Sequence, residues 1–466
     1  MLILLCVYFI SDRILSTVSL YFLLMSQIEN NSPRANTGVS TFSALSIGIG
    51  GMVGGGIFAV TGLTVDLTRG AAPVAFVIAG IVALLTSYSY LKLTLRYPSQ
   101  GGTVEFLNRG FGKGIFTGSS NILLCLSYII LLAIYAYAFG SYGASLFPKA
   151  DYEFWKHALI TGIIIFLAIV NFFGSGLAIR SENLFNSVKM ILLAVFVIAG
   201  LIAPIEWSRL SFEYYVPPVA IFSGAMIIFL NYEGFELIAN AGKDIINPKR
   251  ALPIAYIGGV LIVIVLYVLI TMVVVGHMDF ATIHNASNYA LSQAAGTFMG
   301  RFGFIMLVVA ALLATSSAIN ATFYGSGRLT YIIAKYGELP QELERDIRSQ
   351  PLEGMIIFAL LTLFIANFIP LDAIATMGSA GFLLIFLAVN IANFKLAKET
   401  QSKGWISILA AVFCFLALLA LCWQTWRVPE TRSQIWILVA MIVSSVLIEV
   451  IYRVITKREI HMGHDN

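Results

Sequence analysis

The chain has 466 residues, of which 59% are hydrophobic and only 11% charged, and its mean hydropathy is +0.89. A water-soluble chain carries about 25% charged residues, so this composition excludes a soluble protein and points to an all-α polytopic membrane protein. The net charge of +4 does not indicate a nucleic-acid partner, because the basic residues fall between apolar runs, where they act as topology signals.

Residues 1–24 are apolar, with an interruption at Ser11–Arg13. A signal peptide places its positive charges first, and none precedes Arg13 here. Two readings stay open: translation begins at Met25, or the segment is a short peripheral helix. Residues 1–39 form an N-terminal extension and cytoplasmic tail. Twelve apolar runs follow, at 42–67, 73–95, 115–147, 155–173, 184–203, 216–239, 251–276, 300–333, 355–369, 374–394, 405–426 and 435–452. Each is expected to cross a bilayer as one helix, at about 20 residues per span, and 457–466 is a C-terminal tail.

An even number of spans puts both termini on one side. The loops on that side hold most of the basic residues. The opposite loops hold only Arg69, Lys149, Lys156, Arg209, Arg301, Arg427 and Arg432. By the positive-inside rule both termini face the cytoplasm, as expected of a multi-pass protein of the plasma (cell inner) membrane with the lipid bilayer as its solvent. The cysteines Cys6, Cys125, Cys414 and Cys422 lie in apolar runs without a CxxC or metal spacing. They read as small buried hydrophobes, and no metal or cofactor is implied.

The first run contains Gly48-Ile-Gly-Gly-Met-Val-Gly-Gly-Gly-Ile-Phe58. Each glycine costs a helix roughly 1 kcal/mol relative to alanine, so this stretch suits a break. Unpaired backbone groups in hydrocarbon cost several kcal/mol each, and the break needs water, an ion or a substrate to fill it. The alternative is a glycine packing face between helices. The sixth run carries Phe229-Leu-Asn-Tyr-Glu-Gly-Phe-Glu236. A glutamate at membrane depth marks a functional site by default, although Glu236 could also be a solvated residue near the cytoplasmic end.

The two interrupted spans lie five apart and therefore cross in opposite directions. Paired broken helices in inverted halves point to the binding site of a secondary transporter. Their half-helix N-termini suit a carboxylate and their freed carbonyls suit an ammonium. A ligand with both groups on one carbon is an α-amino acid.

At these residues the chain resembles the amino acid–polyamine–organocation superfamily of permeases. The match includes Gly50–Phe58 and Tyr97-Pro-Ser-Gln-Gly-Gly-Thr-Val-Glu105 with Phe111-Gly112. It continues through Asn171-Phe-Phe-Gly174, Tyr232–Glu236, Asn247-Pro248, Leu252-Pro253, and Asn320 to Arg328 closing with Gly337-Glu-Leu-Pro340. The resemblance implies 12 transmembrane helices in a 5+5 inverted repeat with discontinuous helices 1 and 6. The repeats are 40–203 and 216–396, and 404–456 holds peripheral helices 11 and 12. It also implies that amides around Gly54, Gly55 and Gly56 hold the substrate carboxylate. Carbonyls at Ile49, Gly50, Leu230 and Glu233 would take the α-amino group, with Tyr232 and Gly234 completing the substrate site. Many relatives carry a hydroxyl residue at the position of Gly55, so this break is expected to be more flexible and slightly roomier.

Lys189, in Phe185-Asn-Ser-Val-Lys-Met-Ile-Leu-Leu193, is the lysine set inside a long apolar span. Some permeases of the superfamily are similar in having a span-five lysine in the place of a sodium ion. A lysine held away from water is a group that can take up and release a proton. Its neighbours would be span-one carbonyls and the hydroxyls of Thr315, Ser316 and Ser317. The alternative is a lysine snorkelling to the cytoplasmic interface. Glu236, Ser316, Ser317 and Asn320 complete the coupling and gating candidates, although such hydroxyl and amide residues also bond helix to helix. Tyr88, Tyr128, Tyr135 and Tyr232 are possible gates.

The expected function is secondary active transport of an amino acid with a proton, by alternating access. An exchanger of amino acids or amines would use the same fold, and Glu233 and Glu236 would favour cationic cargo. An enzyme would need a nucleophile, base or metal cluster at membrane depth, and the sequence offers none.

Overall fold

A computed structural model describes residues 38–173, 176–339 and 352–456. Most of the 1–39 extension, with Cys6 and the two readings of Met25, lies outside the described residues, as do Gly174, Pro340 and the 457–466 tail.

The chain begins with α1 (Thr41–Met52) and α2 (Gly56–Thr68), followed by α3 (Ala72–Arg96), the short α4 (Thr103–Phe111) and α5 (Ile115–Ala144). Next come α6 (Tyr152–Phe173), α7 (Gly176–Ile202), α8 (Pro218–Ile227), a 3-10 turn at Phe229–Tyr232 and α9 (Leu237–Asn240). Then α10 (Pro248–Pro253) passes through a π turn into α11 (Gly259–His277), and α12 (Phe280–Asn285) leads to α13 (Ala290–Lys335). The chain closes with α14 (Leu352–Phe368), α15 (Leu371–Lys395), α16 (Gly404–Arg427) and α17 (Ser433–Thr456). An isolated β-bridge joins Arg69 to Tyr215.

Helices that are apolar all round are membrane spans, since lipid rather than a core covers their outer face. Among the described residues nine helices are long and apolar enough to cross a membrane, and eleven if each of two bent pairs counts as one span. The run at 355–369 falls in α14, an apolar helix of 17 residues. The molecule is therefore a nearly all-helical, multi-pass membrane protein. The eighth run starts where the structure breaks: Gly300, at φ +62° and ψ −155°, is non-helical and separates a preceding helical stretch, 290–299, from the long helix that fills the run. A glycine takes that backbone angle without the Cβ clash that other residues suffer, so the chain turns there between two helices.

Burial separates centre from periphery. In α5 and α15, 83% of the apolar window is buried, against 28% in α16 and 22% in α17. Trp405, Phe415, Trp423 and Trp436 stand exposed on the last two helices, where lipid tails supply the missing contacts. Polar side chains within the spans return their hydrogen bonds to the helix: Thr64 and Thr68 donate to the carbonyls of Val60 and Thr64 at 2.8 and 2.7 Å. The amphipathic α4 buries Val104, Phe106 and Leu107. Its Glu105 holds Arg109 at 2.8 Å and accepts from the Tyr336 hydroxyl at 2.6 Å. That ties α4 to the end of α13.

Candidate functional site

Both expected breaks are present. α1 and α2 bend by 46°, and the α8 segment bends by 49° before the stretch that ends in α9. At the first break the Val53 amide still closes on the Ile49 carbonyl at 2.8 Å. The amides of Gly54, Gly55 and Gly56 find no acceptor among the described residues. They stand at the N-terminus of α2, where aligned peptide dipoles give roughly half a positive charge. At the second break Glu233 is extended, with ψ 146°, and Gly234 has φ +119°.

The breaks touch each other through glycine. A Cβ on Gly234 would lie 2.3 Å from the Gly51 carbonyl carbon and 2.4 Å from the Met52 nitrogen. A Cβ on Gly51 would lie 2.8 Å from the Gly234 Cα. No side chain fits between them. The Tyr267 hydroxyl of α11 bridges the two breaks, 2.6 Å from the Met52 carbonyl and 3.1 Å from that of Asn231. Ser379 of α15 tends the second break. Its hydroxyl donates to the Ile227 carbonyl at 2.7 Å and receives the Leu230 amide at 3.2 Å. Neither residue emerged from the sequence. Tyr267 is one of 20 tyrosines, and its signal is a phenol in a largely apolar stretch that demands a partner.

Lys189 of α7 points inward. It is 1% exposed, and its ammonium donates to the Gly50 carbonyl at 2.9 Å. This is the span-one carbonyl contact that the sequence led us to expect, and snorkelling is not the geometry adopted. One turn earlier Asn186 packs on the same glycine, its Nδ2 2.6 Å from where a Gly50 Cβ would stand. The hydroxyls of Thr315 and Ser316 donate to their own helix, to Ala311 and Leu312, each at 2.7 Å.

A cavity runs from the two breaks to Gly101, Asn240 and Leu329. Gly50, Gly51 and Gly234 line it with Tyr128, Tyr135, Asn186, Glu236 and Ser317. Glu236 is buried rather than solvated. It accepts the Gly234 amide at 2.6 Å and the Tyr128 hydroxyl at 3.2 Å. Glu233 and Asn231 are also buried, and their side-chain polar atoms have no partner among the described residues.

Other sequence candidates stand off the cavity. Gly55 and Gly56 are covered, since a Cβ on Gly55 would meet the Tyr135 ring at 2.6 Å and one on Gly56 would meet Asn231 Oδ1 at 2.5 Å. The break at Gly55 is thus not roomier: without a hydroxyl side chain there, the Tyr135 ring closes onto the backbone. The carbonyls of Ile49 and Leu230 already accept from Val53 and Glu233, which leaves each one lone pair. Tyr232 donates to the Phe76 carbonyl at 2.7 Å and packs edge-on against Tyr267, so it builds the wall. Asn320 accepts from Asn171 at 2.8 Å and joins α13 to α6. Tyr88 lies at the bundle's end, where it receives the Lys403 amide at 2.8 Å.

Chemically, the site offers free amides at a helix N-terminus, carbonyls with spare lone pairs, a buried ammonium and two carboxyls. Residues 39–446 match the amino acid permease family. The chain is 33% identical over 430 residues to an uncharacterized protein of Methanocaldococcus jannaschii, covering 91% of this chain and 97% of that protein. It is 29% identical over 432 residues to the inner membrane transport protein YbaT of Escherichia coli, covering 92% and 99%. It is 25% identical over 442 residues to the branched-chain amino acid permease BcaP of Lactococcus lactis, covering 87% and 93%. The family match spans both breaks, and the chain belongs to the amino acid permease family.

Proposed function

We propose that this permease carries an amino acid together with a proton across the cell (inner) membrane by alternating access. The reading takes the bundle as twelve spans in a 5+5 inverted repeat, 40–203 against 216–396, with 404–456 at the periphery and both termini cytoplasmic. The substrate carboxylate binds the amides of Gly54, Gly55 and Gly56 once Tyr135 and Asn231 move aside. The α-amino group binds the spare lone pairs at Ile49, Gly50, Leu230 and Glu233.

The observation that carries proton coupling is the Lys189 ammonium on the Gly50 carbonyl, at 2.9 Å. A charge-assisted hydrogen bond is roughly twice as strong as a neutral one, so loss of the Lys189 proton weakens the tie between α7 and the first break. The first break is then free to shift as the cargo leaves. Ser317 and Glu236 border the same cavity. The similarity to a branched-chain amino acid permease supports an amino acid as cargo.

Exchange of one amino acid or amine for another is the second reading, favoured by the two buried carboxyls at Glu233 and Glu236. Purified protein in proteoliposomes separates the two. Labelled amino acids are offered with an inward proton gradient and no sodium, or without a gradient to vesicles preloaded with unlabelled cargo. Gradient-driven accumulation in empty vesicles is the expected result. Uptake confined to preloaded vesicles refutes symport and establishes exchange.

A further inference from the structure

Four polar atoms at the second break lack partners among the described residues: Nδ2 and Oδ1 of Asn231 and both carboxyl oxygens of Glu233. Each of these side chains is 1% exposed. Glu236, three residues on, is the contrast, since an amide and a phenol donate to it. The Tyr128 and Tyr135 phenols stand on the wall of the adjoining cavity.

An ionised carboxyl with neither donor nor counter-ion is strongly disfavoured away from water. A second carboxylate next to it makes the state worse. Lys189 supplies one positive charge to the site, whereas Glu233 and Glu236 supply two negative ones. One further positive charge balances them.

We propose that the Glu233 side chain is a cation subsite of the transport site, which gives up its proton to receive the side-chain ammonium of a cationic amino acid. The inference rests on the transport reading above. A zwitterionic amino acid brings no net charge, so the carboxyl keeps its proton and the pair travels together. A dibasic amino acid brings one, and its ammonium donates to the carboxylate after the proton has passed to water. The Asn231 amide, with a donor and an acceptor both free, orients either cargo beside Gly56.

The test is binding to the full-length purified protein by calorimetry from pH 5.5 to 8.5. The probes are lysine and norleucine, which are nearly the same shape but differ in the ammonium. The expected result is lysine affinity that rises with pH by up to about tenfold per unit, as required when one ligand displaces one proton. Norleucine affinity falls or stays level over the same range. In Glu233→Gln the lysine-to-norleucine affinity ratio drops at least tenfold and the lysine pH slope disappears. Parallel pH profiles for the two ligands in the unaltered protein overturn the subsite without recourse to any variant. So does a Glu233→Gln protein that discriminates as before. If neither ligand nor any other amino acid binds at any pH, the transport reading itself falls and takes this inference with it.

Discussion

Gly234→Ala puts the contact between the two breaks to its hardest test. At φ +119° an alanine is held in a region open essentially to glycine, at roughly 1–3 kcal/mol. Its Cβ would stand 2.3 Å from the Gly51 carbonyl carbon and 2.6 Å from the Gly51 Cα. Those atoms are backbone, so no rotamer relieves the overlap, and the breaks must separate by about 1 Å to restore ordinary van der Waals distance. Overpacking of this kind adds about 1–3 kcal/mol. The shift also stretches the Lys189–Gly50 and Tyr267–Met52 contacts, now 2.9 and 2.6 Å, toward the limit of hydrogen bonding. Together the terms reach about 2–6 kcal/mol, and 1.4 kcal/mol is already tenfold in an equilibrium. We expect at least a tenfold loss of uptake per inserted molecule in proteoliposomes, with a lower unfolding temperature in detergent. Wild-type uptake and an unchanged unfolding temperature would show that the two backbones do not meet as described.

Three further outcomes are expected. Lys189→Ala should abolish uptake driven by a proton gradient while substrate binding stays measurable; gradient-driven uptake at the wild-type rate would remove Lys189 from coupling. Tyr267→Phe deletes the one hydroxyl shared by the Met52 and Asn231 carbonyls, at a net cost of about 0.5–1.5 kcal/mol. Substrate affinity should fall roughly three- to tenfold, and an unchanged affinity would make the bridge incidental. Glu338, beyond the end of α13, accepts from Asn121 of α5 near Glu449 and Arg453 of α17, and burial pushes its carboxyl up to about 7 from 4.5. Between those values the folded protein keeps a proton that the unfolded chain has released. Stability therefore falls as pH rises through that window and levels off above 7, by about 3 kcal/mol in full. Glu338→Gln should flatten the fall in unfolding temperature between pH 5 and 8, and an identical slope in the variant would assign it to other groups.

Much of the fold was legible because hydrocarbon leaves the backbone few options. A run of twenty apolar residues must satisfy its own amides and so becomes a helix. Even the two departures were visible, since glycine at 48–56 and two carboxyls at 233 and 236 are poor material for such a helix. The start of the eighth run was legible too, because Gly300 is the non-helical residue at which α13 breaks.

The site was legible in part. Gly50, Gly234, Glu236 and Ser317 line the cavity, and Lys189 reaches the first break. Tyr267 and Ser379 were invisible because their roles depend on partners tens to hundreds of residues away. Tyr267 bonds to Met52 across 215 positions, and Ser379 to Ile227 across 152. Gly55 makes the same point from the other side. The sequence showed a missing side chain, and only packing decided that the Tyr135 ring would occupy the space. Local chemistry determined where this chain spans and where its spans break. Which groups meet at those breaks was decided by the folded bundle, because a hydrogen bond depends on ångström distances between residues whose separation along the chain carries no information about them.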